Sequence, residues 1–201
     1  MQADHRPLAT TDLPADLASA VQQVTERRRS PETLEDAITV VESLLAGGGF
    51  EITADQMYQP TETRHAIQFG DRTEHVPCVL DALIAGLLDE SSPVVIQSRP
   101  PTEGETVQLT VAESGISAEP STAVFSWGMA AEDVQNPDPE SVLNDEDTVS
   151  PASCSYINAF PDEAAYRRWE RQVSDGVVMQ LDLAAMVALA ERAANGWVVA
   201  E

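Results

Sequence analysis

The sequence predicts an α+β domain: a small, mostly antiparallel sheet with flanking helices and a short helical part ahead of it. Three observations carry this. Apolar residues recur at helical spacing toward both ends of the chain. The middle holds short stretches rich in Val, Ile, Thr and Phe, separated by Gly, Pro and Asp turn signals. No internal repeat imposes a different architecture, and strands clustered between helical ends favour an antiparallel sheet.

Residues 1–12 read as a flexible N-terminus. A helix starts near Leu13, with Pro14 in its first turn and Leu17, Ala20, Val21 and Val24 on one face. It runs out in Arg27, Arg28 and Arg29. Ser30–Pro31–Glu32 reads as the next helix start, a cap followed by proline and acid. Leu34, Ala37, Ile38, Val41, Leu44 and Leu45 form its apolar face, and Gly47–Gly49 stop it. Neither helix buries its face alone, so both must pack on the rest of the chain.

Residues 65–74 predict a strand pair turning at Gly70–Asp71. Residues 77–88 follow, Pro-Cys-Val-Leu-Asp-Ala-Leu-Ile-Ala-Gly-Leu-Leu, the most apolar stretch of the chain. Its length favours a buried helix. Strands are expected at 94–97, 106–111, 116–118 and 122–127. The acidic segment 131–149 reads as a solvated loop, long enough to be a lid or insertion. Residues 153–160 predict a strand carrying Cys154 and ending at Pro161. Asp162 caps a helix with Ala165, Trp169 and Val173 on one face. A short strand at 177–180 and a last helix from Asp182 to Asn195–Gly196 complete the chain. The expected domain division is 1–12 flexible, 13–75 helical N-terminal region and 76–201 α+β domain.

Composition narrows the function. The chain has 201 residues, with 34 Asp and Glu against 11 basic residues, a formal net charge of −23. All 11 basic residues are Arg. Hydrophobic residues make up 43%, enough to form a core, so this is not an acidic disordered tail. Nucleic acids and anionic membranes repel such a field. Abundant acid without Lys suggests a salt-rich, halophilic cytoplasm, where ions screen the self-repulsion. The far-UV circular dichroism of the protein is therefore expected to lose helical signal on dialysis from molar salt into dilute buffer. No targeting signal and no membrane-spanning run is visible, which points to a cytoplasmic protein. Two cysteines are too few for a secreted disulfide framework.

The chemistry-bearing residues are Cys78, Asp81 and Cys154. Free cysteine often serves as plain core. A carboxylate among Val79, Leu80, Ala82, Leu83 and Ile84 costs several kcal/mol if buried unpartnered, unless it faces water or a helix start. Cys78 and Asp81 are three apart and share a helix face. If the helix begins near Pro77, its free N–H groups would lower the pKa of the Cys78 thiol, placing a thiolate beside a proton-shuttling carboxylate. A second thiol would complete a soft-metal group for Hg(II), Cu(I) or Zn(II). The set lacks the four ligands of structural zinc and the C-x-x-C redox motif. His65 and His75 are weighed as ligands or proton relays against strand or surface roles, and the latter are preferred.

The order Pro77–Cys78–Val79–Leu80–Asp81–Ala82–Leu83, a strand region with Val107–Val111, then Cys154 76 residues after Cys78 and a Trp-bearing helix, resembles organomercurial lyase, the alkylmercury lyase or MerB family. The resemblance covers about residues 30–197. It implies a MerB-like fold with a reduced winged-helix-like N-terminal part. It also implies catalytic roles for Cys78, Asp81 and Cys154, and protonolysis of a carbon–mercury bond. Hg(II) would remain on the two thiolates beside Asp81 as product, with no organic cofactor. The implied partners are a small organomercury substrate, exogenous small thiols and a mercuric reductase. Many members carry adjacent cysteines and two histidines at the second site; here Ser153–Asn158 has one cysteine and no histidine. Phe69, Leu83, Phe125, Trp127 and Tyr156 are candidate pocket walls. Two other readings remain open: a non-catalytic Hg or Cu thiol-binding or sensing protein of the same fold, and a domain whose cysteines are spectators. The last predicts sulfurs far apart.

Overall fold

The structure, a computed structural model, describes residues 6–24, 29–48, 54–89, 93–130 and 154–196. The acidic segment 131–149 and Arg27–Arg28 lie outside the described residues. The helices α1 (Arg6–Thr10), α2 (Ala15–Val24), α3 (Leu34–Gly48) and α4 (Ala54–Met57) come first. The strands β1 (His65–Phe69) and β2 (Arg72–Val76) lead into α5 (Val79–Leu88). Then follow β3 (Val94–Ser98), β4 (Val107–Ala112), β5 (Gly115–Glu119) and β6 (Val124–Ala130). After the undescribed stretch come β7 (Ala159–Phe160), α6 (Glu163–Glu170), β8 (Gly176–Leu181) and α7 (Leu183–Gly196).

Five strands form one antiparallel sheet in the order β2-β1-β3-β4-β5, and three form a second in the order β7-β6-β8. The predicted α+β class holds. The β1–β2 hairpin closes at Gly70–Asp71 with Phe69 opposite Arg72; Gly70 has φ 58, which a two-residue hairpin turn needs and glycine adopts without strain. Strands β1 and β2 belong to the same sheet as β3–β5, so this sheet crosses residue 75, where the sequence reading places a segment boundary.

Helix α5 lies on the five-stranded sheet and is covered on its other side by α7. This explains why it is apolar nearly all round: Val79, Leu80 and Ala82–Gly86 are buried. Each fully buried Leu or Ile contributes about 1.5–3 kcal/mol over leaving it exposed. Gly86 sets the closeness of approach, since a Cβ there would already touch Val111 and Val94 at 3.4 and 3.5 Å. α5 is thus one of the most constrained elements of the chain.

The first helix boundary differs from expectation. α3 begins at Leu34, and its cap is Thr33, not Ser30. The Thr33 hydroxyl accepts from the Asp36 N–H, and Asp36 accepts from the Glu32 and Thr33 N–H groups. This is the reciprocal geometry of a capping box. Residues 31–33 stay extended because they pair with 11–13: Leu13 N–H donates to Glu32 and Leu34 N–H to Thr11. α3 is tied to α7 by Arg192, which donates to both carboxylate oxygens of Glu42 at 2.6 Å. At the other end, Asp162 and Asp182 cap α6 and α7 as expected, accepting from Ala165 and Ala185 N–H.

Candidate active site

Cys78 is the N-cap of α5, in extended conformation at φ −144 and ψ 169, and Asp81 is the third residue of the helix. Cys-x-x-Asp therefore occupies the positions of a capping box, with a thiol where serine or threonine usually stands. The Cys78 thiol makes no cap bond to the backbone. It donates instead to Asp81 Oδ2 at 3.2 Å. Cys154 donates to the same oxygen at 3.6 Å. The two sulfurs and the carboxylate oxygen all lie within 4.8 Å of one another. Among the described residues this is the group of His, Cys, Asp and Glu side chains placed to share one metal ion. The spectator reading, with its distant sulfurs, is not what the fold contains.

Cys154 sits in a helical turn, not in the expected strand; only Ala159–Phe160 pair as β7. The turn folds on itself, Ile157 N–H donating to Cys154 carbonyl. It is fastened to α5 by Val79 N–H, which donates to Ile157 carbonyl at 3.4 Å. A first-turn N–H of α5 is thus spent on holding the Cys154 loop.

Both cysteines are buried, Cys78 at 1% and Cys154 at 7% exposure, within the main apolar cluster. This reverses the expected titration of Cys78. Burial pushes its thiol well above the usual range, helped by the adjacent Cys154 sulfur and the Asp81 carboxylate. The Asp81 N–H favours the thiolate but is outweighed. Burial also raises Asp81, against the thiol hydrogen bonds from Cys78 and Cys154 and the Cys78 N–H that favour its charged form. The resting site therefore holds protons tightly. With its pKa raised, Cys78 stabilises the fold as a neutral thiol, fully so below the ordinary thiol pKa, and that contribution is lost as pH rises through the folded value. Alkylation of Cys78 by iodoacetamide, followed by peptide mass spectrometry, is expected to keep accelerating above pH 9. A plateau near pH 8 would mean that the thiol is not shielded.

The candidate walls divide. Phe69, Leu83, Phe125 and Trp127 share the apolar cluster with both cysteines. Tyr156 belongs instead to the aromatic cluster of Phe160, Tyr166 and Trp169, and its hydroxyl donates to Asp175 carbonyl. A Cβ on Gly176 would overlap the Tyr156 ring, so β8 sets where this ring sits. Neither histidine joins the sulfur group. His75 accepts from Thr63 N–H through Nδ1. His65 is buried, its Nδ1 at 2.9 Å from Ser98 Oγ, and burial with the charges of Arg64 and Arg99 pushes its pKa down to about 3.

Sequence reasoning missed Asn158, Ser126 and Arg64. Asn158 and Ser126 are fully buried. The signal available was Asn158 itself, a polar residue in an apolar run shortly after Cys154, which must find partners if it is buried.

Comparison with known proteins gives three results. A solved structure, the mercury-bound form of MerB2, is 19% identical, with 82% of this chain and 76% of that chain covered and a TM-score of 0.49. No curated protein matches the chain. The family model of alkylmercury lyase matches residues 59–195, which include Cys78, Asp81 and Cys154, and the chain belongs to that family, MerB.

Proposed function

We propose that this protein is an organomercurial lyase that cleaves a carbon–mercury bond by protonolysis, with Cys78, Asp81 and Cys154 as its catalytic residues. The observation that carries the reading is the shared oxygen: two thiols from distant parts of the chain donate to one carboxylate. A metal-sequestering site needs the sulfurs but has no use for a proton store between them.

The step balances as follows. An organomercury cation and two thiols give the hydrocarbon, Hg(II) bis-thiolate and one released proton. As mercury bonds to a sulfur, that thiol's proton has an acceptor at hydrogen-bond distance in Asp81. Burial raises the Asp81 pKa, so the carboxyl can keep the proton until the carbon needs it. Two soft sulfurs bind mercury strongly and push electron density toward the carbon. Asp81 then protonates the carbon as the bond to mercury breaks. Hg(II) stays on Cys78 and Cys154 as product, and small cellular thiols or a mercuric reductase remove it. No organic cofactor takes part. The high pKa of Cys78 fits this scheme, because the thiol ionises only against an incoming metal cation. No helix of the described residues is long and apolar enough to cross a membrane; the cytoplasmic setting of the proposal rests on the acidic, lysine-free composition, and a part in mercury resistance follows from the lyase reading alone.

The test is multiple-turnover release of benzene from phenylmercury, or methane from methylmercury, in molar salt with excess small thiol. Continued release beyond one equivalent supports the lyase. Uptake of one mercury per chain without hydrocarbon would turn the assignment to a soft-metal binding or sensing protein.

A further inference from the structure

The loop that carries Cys154 is held by one buried residue whose polar groups are all engaged. Asn158 is fully buried. Its N–H donates to Ser126 Oγ at 3.0 Å and its carbonyl accepts from Ser126 N–H at 2.9 Å. Its side-chain carbonyl accepts from Arg64 Nη2 at 3.1 Å, and its side-chain amide donates to Ser155 carbonyl at 2.9 Å. Four bonds thus join three parts of the chain at this residue. Ser126 belongs to β6, Arg64 immediately precedes β1, and Ser155 is the residue after Cys154. Arg64 is itself held, its carbonyl accepting from Arg99 N–H. Nearby, the Thr63 hydroxyl donates to Val76 carbonyl, two residues before Cys78. One anchor therefore references the Cys154 loop to the strand pair that delivers Cys78.

Such a polar hub is costly inside an apolar cluster unless every group is paired, and it confers a unique geometry when they are. The geometry at stake is short: Cys154 reaches Asp81 at 3.6 Å and lies within 4.8 Å of Cys78 Sγ. A thiol displaced by an ångström could still meet a soft ion, but not while the other sulfur and the carboxyl keep their places.

We propose that Asn158, held by Arg64 and Ser126, is a positioning residue that sets the reach of Cys154, and so decides whether one soft atom is held by both sulfurs at once. As a role in catalysis this rests on the lyase reading; as a statement about the dithiol it does not. The experiment is built on that difference. Phenylarsine oxide captures two adjacent thiols, forming two As–S bonds and releasing its oxygen as water with the two thiol protons, and it requires no turnover. Wild-type protein is expected to hold one equivalent against excess monothiol. In Asn158→Ala, both cysteines should remain alkylatable while the captured arsenic is lost to monothiol about tenfold faster or more. With phenylmercury, kcat should fall by a similar factor with KM little changed. Arg64→Gln should show the same defect, and Arg64→Lys should recover part of it. Arg64→Gln removes a half-buried contact and serves if Asn158→Ala does not fold. Wild-type arsenic retention in a folded Asn158→Ala or Arg64→Gln variant overturns the proposal. Arsenic capture that depends on Asn158 in a protein releasing no hydrocarbon would sustain the positioning role and overturn the lyase reading instead.

Discussion

Asp81→Asn is expected to lower hydrocarbon release from phenylmercury by about 10²–10⁴-fold at saturating substrate, the usual worth of a positioned acid. Mercury uptake should remain at one per chain. Asparagine keeps the shape of the side chain and an acceptor oxygen for the thiols, so the sulfurs stay together. It removes the proton store. The stability of the variant relative to wild type should also increase as pH rises, and the sign follows from the raised carboxyl pKa. A buried carboxyl with a raised pKa adds stability while protonated and loses it as pH rises through its folded value. The amide does not titrate and so carries no such loss at any pH. Gas chromatography of benzene together with thermal melts across pH checks both statements. Near-wild-type turnover in Asp81→Asn would show that the proton reaches carbon by another route.

Cys154→Ser is expected to reduce hydrocarbon release to background by a different cause. The serine oxygen is a hard donor and does not replace sulfur on mercury. Cys78 can still bond the organomercury cation, and Asp81 can still take the thiol proton. With one sulfur, less electron density reaches the carbon, and the reaction should stop at the captured substrate. Mass spectrometry of the protein after brief exposure to phenylmercury should find the intact phenylmercury adduct on Cys78. Excess small thiol should then remove it. Benzene formed at the wild-type rate would show that Cys154 is dispensable. The two variants thus separate proton delivery from metal activation: Asp81→Asn should retain mercury on two sulfurs, whereas Cys154→Ser should retain it on one.

Parts of the fold that depend on local pattern were legible. Residues 79–88 combine an apolar run broken only by Asp81 with a length suited to a helix, and α5 forms there between the sheet and α7. The Gly70–Asp71 turn and the Asp162 and Asp182 caps follow from backbone preferences that act over a few residues. The α3 cap was misplaced because Ser30–Pro31–Glu32 has good local chemistry. Pairing of 31–33 with 11–13, invisible to a local reading, delays the helix to Leu34. Residues 154–158 were read as a strand for the same reason. Their bonds go to Val79, Ser126 and Arg64, far away in sequence.

The titration of Cys78 was misjudged in sign. A helix start lowers a thiol pKa when its N–H groups are free and the thiol is wet. Here Val79 N–H is taken by Ile157, and the thiol is buried beside a second sulfur and a carboxylate. Desolvation of a charge exceeds the pull of a helix end by a wide margin.

By itself the sequence determined the residue types of the chemistry and one of their spacings: a thiol and a carboxylate three apart at a helix start, in an acidic chain with one further cysteine. Those follow from covalent order and from helical periodicity, which need nothing else of the fold. Only the tertiary structure decided that Cys154 donates to the same oxygen as Cys78, that the thiol pKa rises, and that Asn158 anchors the loop. The reason is physical. Distances between residues 76 apart, and the loss of water around them, depend on how separate elements pack, and no local preference encodes either.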